Sequence, residues 1–228
     1  LGLFEEEIHT CSDAIRSFPA VELFYSSRAA ASVILATREL DLGDPHSFTA
    51  IDRIELAIKD YTYLHDKNPY EVAWLTSRGD LQASLRLYDL AISDYDAAID
   101  IDPDNTAYYY QLAELCIQDG QATRAIEVYT GLIARLATNE ELSRCYWERS
   151  KLHLDLRQIN YGIDDASEAI RLDPRNTGAF KTRADLYAFE DDKTLERRED
   201  LEHYIITTWP NDDIEARIQL ANIHLSDK

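Results

Sequence analysis

An all-α fold built from repeated antiparallel helix pairs is what this sequence predicts, on three observations. The segments LAIKDYTYLHDKNP (56–69) and LAISDYDAAIDIDP (90–103) match at an offset of 34 residues. Carried forward, that offset stacks Ala57, Ala91 and Ala125 in one column, Tyr61, Tyr95 and Tyr129 in a second, and Leu64, Ala98 and Leu132 in a third. These positions lie at i, i+4 and i+7, on a single helix face. Finally, only 7 Gly and 6 Pro punctuate 228 residues, too few for a sheet protein rich in tight turns, while 45% hydrophobic content supplies a core.

The elements follow in order. Residues 1–19, LGLFEEEIHTCSDAIRSFP, align without gaps onto 85–103, so the chain opens on a lone second helix over 4–17. Its own first helix is expected upstream, in a longer array from which this segment is cut. Helix pairs are then expected over 20–66, 70–102, 106–136, 140–173 and 177–207, within repeats 20–69, 70–103, 104–139, 140–174 and 175–210. A terminal first-type helix is expected over 212–226 within 211–228. The first helices announce themselves as YSSRAAA, LTSRGDL, YQLAELC, WERSKLH and KTRADLY. Pro69, Pro103 and Pro174 fall just past second helices, where proline cannot continue the helix and marks the turn to the next pair. The run DLGDPH (41–46) lengthens the first complete repeat, and insertions in such arrays map to loops. The weakest copy is 177–208, which places Glu196, Asp200 and His203 in the Ala, Tyr and small-residue columns.

A 34-residue helix–turn–helix with small residues at the crossings, an aromatic between them and a terminal proline resembles the tetratricopeptide repeat (TPR) family. The resemblance spans essentially the whole chain. It implies a right-handed superhelical solenoid of antiparallel helix pairs as one domain over 1–228. The glycine usual in the first helix survives only as Gly79, with Ala29, Ala113, Ser150 and Ala184 in its place. All are small, which is what close helix approach requires.

One charge pattern is structural. Arg28, Arg78, Arg149 and Arg183 share a column of the first helix, and Asp60, Asp94, Asp165 and Glu199 share the facing column of the second. The remaining repeat places Leu112 and Val128 there instead. Charge meets charge and apolar meets apolar, as direct contact demands, because one buried unpaired charge is costly. Ion pairs within four of the five repeats are therefore expected.

Chemistry is harder to find. No nucleophile elbow, phosphate-cradling glycine loop or dinucleotide fingerprint occurs, so neither catalysis nor a cofactor is expected. DIDPDN (100–105) begins like a calcium loop but lacks its glycine, and Asp41, Asp44 and His46 are too few ligands for a convincing cation site, so no metal is expected either. Packing is the expected role of His153, His203 and His224, and core positions are expected for Cys11 and Cys116. Three scattered cysteines give no disulfide framework, and a reducing, cytoplasmic setting follows. With 23 Lys+Arg against 43 Asp+Glu the formal charge is −20, which argues against nucleic acid and anionic membrane as partners.

Surface is what remains. The resemblance implies that the first helices line a concave groove that binds an extended peptide or a partner helix. One groove column reads Asp80, Glu114, Lys151 and Asp185; its neighbour reads Thr76, Tyr110, Trp147 and Lys181, with Leu154 and Phe189 extending the stripes. Tyr110 and Trp147 are candidate apolar anchors, with packing on the next repeat as the alternative. The clamp by which some family members hold acidic chaperone tails uses Lys and Asn where this chain has Asp80 and Glu114, and is not expected here. A non-catalytic protein-interaction scaffold with a neutral to basic protein or peptide partner is the expected function. The alternative is a targeting or regulatory arm of a larger enzyme, and self-association through the unpaired end helices is a further option.

Overall fold

The computed structural model describes residues 2–41, 48–208 and 213–226. Among them there are twelve α-helices and no strand: α1 (Gly2–Ser17), α2 (Glu22–Asp41), α3 (Phe48–Lys67), α4 (Val72–Ser84), α5 (Tyr88–Ile101), α6 (Thr106–Gln118), α7 (Ala122–Ile133), α8 (Asn139–Asp155), α9 (Ile159–Leu172), α10 (Thr177–Tyr187), α11 (Thr194–Thr208) and α12 (Ile214–Ser226). The inserted loop with Asp44 and His46 lies outside the described residues.

The chain divides into two compact units, Leu1–Asp119 and Gly120–Lys228. In the first, each helix packs on its neighbour in sequence from α1 through α6. In the second, α7 to α12 do the same, and α8 also touches α10, so successive first helices lie side by side.

Small residues at the crossings explain the close pairing. Ala29, Ala113, Ser150 and Ala184 are all fully buried, as are Ala57, Ala91 and Ala125 on the second helices. A Cβ on Gly79 would come within 3.1 Å of the Tyr95 ring, which leaves no room for a larger side chain without displacement. Around these crossings Leu35, Leu64, Leu75, Leu132, Leu186 and Leu201 are shielded from water, each worth about 1.5–3 kcal/mol of transfer free energy. Helix starts are capped where the sequence offers the right oxygen. Asn105, Asn176 and Asp213 accept from the amides of Ala107, Ala179 and Ala216. Thr138 accepts from the Glu141 amide and donates to its carboxylate at 2.5 Å.

Three of the turns inside repeats, α4–α5, α6–α7 and α8–α9, carry a left-handed residue: Arg86 (φ 58°), Gly120 (φ 76°) and Arg157 (φ 57°). The αL residue lets Leu87 N–H reach the Gln82 carbonyl and Gln158 N–H the His153 carbonyl, which satisfies carbonyls left open at the helix end. Within the first complete repeat, Tyr25 of α2 and Tyr63 of α3 stack with centroids 3.9 Å apart, and both hydroxyls donate to the carbonyl of Pro19 just ahead of it.

Four arginines pair with aspartates inside their own repeats, three of them as the columns predict. Arg28 holds Asp60 (Nε–Oδ2 2.9 Å, Nη2–Oδ1 2.6 Å), Arg78 holds Asp94 (2.8 and 2.6 Å) and Arg149 holds Asp165 (2.7 and 2.7 Å). The fourth is a correction: Arg183 pairs with Asp200 at 2.8 and 2.8 Å, not with Glu199, which is exposed. A 3₁₀ turn at Asp191–Lys193 precedes α11, and the Arg183–Asp200 spacing is 17 residues against 16 for Arg78–Asp94 and Arg149–Asp165, so every column of that helix moves on by one. Leu201, fully buried, thereby takes the place assigned to Asp200, while Arg197 replaces Glu196 and Tyr204 replaces His203. In the one repeat without a charged pair, 104–139, Leu112 and Val128 are each buried.

The guanidiniums reach further than their own repeat. Each Nη1 donates to a hydroxyl on the preceding second helix: Arg28 to Ser12, Arg78 to Thr62, Arg149 to Thr130 and Arg183 to Ser167, at 2.8 to 3.1 Å. Aspartate, arginine and hydroxyl thus tie one repeat to the next. Burial pushes the Asp60 carboxyl above its ordinary range, against the opposing pull of Arg28, so desolvation of this carboxylate is a substantial cost.

Candidate functional site: the first-helix faces

In the first unit the candidate groove residues lie on α4 and α6. Asp80 is exposed and accepts a 2.5 Å hydrogen bond from the Tyr95 hydroxyl, and Glu114 is exposed and accepts from Gln118 Nε2 at 2.9 Å. Burial, reinforced by that bond to Asp80, pushes the Tyr95 phenol up, so Tyr95 stays a neutral donor. Thr76 turns its hydroxyl back to the Val72 and Ala73 carbonyls, and Tyr110 is half-buried. Both first-helix acids are therefore held by neutral donors, whereas the core acids Asp60 and Asp94 are neutralised by arginine.

In the second unit the groove charges are largely satisfied within the fold. Lys181 Nζ lies 2.7 and 2.6 Å from the two Asp185 oxygens. Lys151 Nζ lies 2.6 Å from Glu148 and 4.6 Å from the centre of the Trp147 ring. Trp147 is half-buried and committed to the next repeat: its Nε1 donates to Thr182 Oγ1 at 3.0 Å, and a Cβ on Gly178 would meet the ring at 2.5 Å. The packing alternative for this side chain is thus what the geometry displays. Phe189, 49% exposed, carries the Arg157 guanidinium 4.5 Å from its ring centre. It stands beside Asp185, Leu154 and Asp155 on the wall of a cleft of about 400 Å³.

The histidines divide. His153 is buried, with Nδ1 2.7 Å from Gln158 Oε1, and His203 stacks on Phe180 at 4.0 Å. His224 is exposed, contrary to the packing role expected of it, because α12 turns Ala216 and Ile223 toward the buried cluster with Ala184 and Leu201. Cys11, Cys116 and Cys145 are buried and form no disulfide. Among the described residues no group of three or more His, Cys, Asp or Glu side chains is placed to hold a metal ion, and no helix is long and apolar enough to cross a membrane.

Helix pairs joined by buried small-residue crossings, with one helix of each pair turning charged and aromatic side chains outward, define a helical-repeat protein of the kind that presents a recognition surface. Two tetratricopeptide-repeat profiles match, over residues 50–106 and 83–144. Residues 50–144 therefore carry tetratricopeptide repeats, and the chain as a whole has a TPR-like all-α fold. Among solved structures it is similar to the C-terminal part of a TPR repeat-containing protein from Cytophaga hutchinsonii, with 19% identity, 99% of this chain and 86% of that one covered, and a TM-score of 0.70. It is also similar to YrrB, described as a TPR protein with an unusual peptide-binding site (14% identity, 96% and 98% covered, TM-score 0.61). A third match is MamA from Desulfovibrio magneticus RS-1 (18% identity, 78% and 92% covered, TM-score 0.55). At these identities the likeness establishes the fold. No curated protein matches the sequence.

Proposed function

We propose that this chain is a non-catalytic protein–protein interaction scaffold whose first-helix faces receive a neutral to basic peptide segment or partner helix. TPR-fold proteins generally act as protein-interaction modules. The single observation that carries the charge preference is the state of Asp80 and Glu114: exposed, on first helices, and held by neutral donors alone. Their charge is available to a lysine or arginine of a partner, in a chain at −20. In the second unit Phe189 supplies the most exposed aromatic surface of the candidate set, and Asp185, already partnered by Lys181, supplies position rather than free charge. YrrB, described as having an unusual peptide-binding site, shares the fold and supports the peptide reading.

Selection from a random peptide display library tests this directly. Enriched sequences should carry Lys or Arg and bind more weakly as salt rises, since exposed charges are screened beyond about 8 Å at physiological ionic strength. Glu114→Lys together with Asp80→Lys should invert the enrichment toward acidic peptides. Enrichment of acidic sequences by the unaltered protein would overturn the reading.

A further inference from the structure

Arg197 stands where the fold asks for a small residue. Counted back from the aspartate of each ion pair, its column holds Ala57, Ala91 and Gly162 in the other charged repeats, and all three are buried. Here a guanidinium fills that place, between the cleft of about 400 Å³ and a second of about 280 Å³ lined by Thr194, Gln219 and Ile223. Its Nε is buried with no hydrogen-bond partner among the described residues, and its Nη2 reaches only Gln219 Oε1, at 3.5 Å.

The rest of the chain shows what that guanidinium edge binds. In Arg28, Arg78, Arg149 and Arg183, Nε and Nη2 together grip the two oxygens of one carboxylate, eight bonds between 2.6 and 2.9 Å. This planar, two-donor match to a carboxylate is the strong form of charge-assisted hydrogen bonding. Arg197 offers the same edge and meets one long contact from an amide oxygen. A buried guanidinium nitrogen without an acceptor is a standing cost, which a carboxylate in the place of Gln219 removes.

We propose that the Arg197 edge is a seat for an aspartate or glutamate side chain of a partner protein, admitted when Gln219 swings aside. A side-chain carboxylate is favoured over a chain terminus on steric grounds. Nε is shielded from water, so the acceptor must arrive on a slender methylene arm, and a terminal carboxylate brings its own Cα, side chain and peptide N–H to the same point. Charge at the cleft permits this: Asp155, Asp185 and Glu215 face Arg157 and Arg197, with Lys181 already on Asp185. Locally the signs balance, unlike the chain as a whole. This seat is a second docking point of opposite polarity to Asp80 and Glu114. Its failure leaves the basic-peptide reading standing, and the converse holds.

The test is the side-chain Nε–H resonance of Arg197 in ¹⁵N-labelled protein. It is titrated with N-acetyl-glutamate N-methylamide, whose single carboxylate is a side chain, and with N-acetyl-leucine, whose single carboxylate is terminal, at matched ionic strength. We expect a saturable downfield shift with the glutamate derivative, at a dissociation constant on the order of millimolar for so small a probe, and at least threefold weaker binding of N-acetyl-leucine. Arg197→Ala places in the column the residue that three sibling repeats bury there, so it should keep its helicity and lose the response, read on backbone amides of α11 and α12. Gln219→Glu should shift the Arg197 resonance with no ligand and block the titration. No shift with either probe, or equal binding of both, overturns the proposal. So does a resonance already shifted in the free protein that Glu215→Gln returns to the ordinary position, because the edge is then filled from within the chain.

Discussion

Replacing Asp94 alone should harm this protein more than replacing Asp94 and Arg78 together. In the folded chain the Arg78 and Asp94 side chains are only 14% and 8% exposed, and two bonds of 2.8 and 2.6 Å join them. Asp94→Val strips both acceptors from a guanidinium that water scarcely reaches, leaving Nε and Nη2 unsatisfied. Breaking a buried pair in this way costs about 3–5 kcal/mol. The double variant Arg78→Leu/Asp94→Val reproduces the pairing that Leu112 and Val128 occupy in the sibling repeat. It gives up one bond to Thr62, whose hydroxyl still donates to the Ile58 carbonyl at 2.8 Å. Its expected cost is therefore about 1 kcal/mol or less. For a chain of this size 1 kcal/mol moves the midpoint by roughly 2–4 °C, so Asp94→Val should melt roughly 6 °C or more below the wild type and the double variant within about 4 °C of it. Circular dichroism at 222 nm, in heat and in urea, reads both. Repeat arrays can unfold in stages, so the comparison is made on the transition of the first unit. Equal destabilisation by the single and double variants would show that these side chains do not act as a pair.

Other expectations follow from the same geometry. Asp200→Ala should cost about 3–5 kcal/mol, as loss of the buried partner of Arg183, whereas Glu199→Ala should stay within about 0.5 kcal/mol; the reverse order in urea melts restores the original column count. Gly178→Ala puts a Cβ 2.5 Å from the Trp147 ring, and should cost about 1–3 kcal/mol by overpacking, with a changed tryptophan emission spectrum. Asp213 caps α12 by accepting from Ala216 and Glu215 amides, and those bonds hold its carboxyl below the ordinary range. Its contribution is present above the unfolded value near 3.8 and is lost as pH falls through the lower folded value. Asp213→Ala should accordingly cost about 1 kcal/mol at pH 7 and less at low pH, as read by hydrogen exchange in α12.

The helix pairs were legible because their physics is periodic: small residues must recur wherever two helices cross, and Ala57, Ala91 and Ala125 do so at constant spacing. The arginine–aspartate pairs were legible because the partners change together, charge for charge and Leu112 for Val128. Register in the last pair was not, because Glu199 and Asp200 are both acidic and column counting has no means of seeing the extra residue that a 3₁₀ turn inserts. The inter-repeat hydroxyls do leave a signal in the sequence: Thr62 and Ser167 each follow their aspartate by two positions, and Asp96 stands there ahead of Leu112, where no arginine needs an acceptor. Outward-facing chemistry was the least legible part. Whether Trp147 packs or protrudes depends on Gly178 and Thr182, more than thirty residues away. Whether Asp185 is free or paired depends on the rotamer of Lys181.

The claim that partners bind the first-helix faces is tested most directly by amide hydrogen exchange of the whole chain with and without a Lys- or Arg-containing peptide taken from the display selection. Protection is predicted on the first helices, α4 and α6 around Asp80 and Glu114 and α8 and α10 toward Phe189, and it should vanish at high salt. Protection confined to the second helices α5, α7 and α9, with the first helices unchanged, would contradict the account.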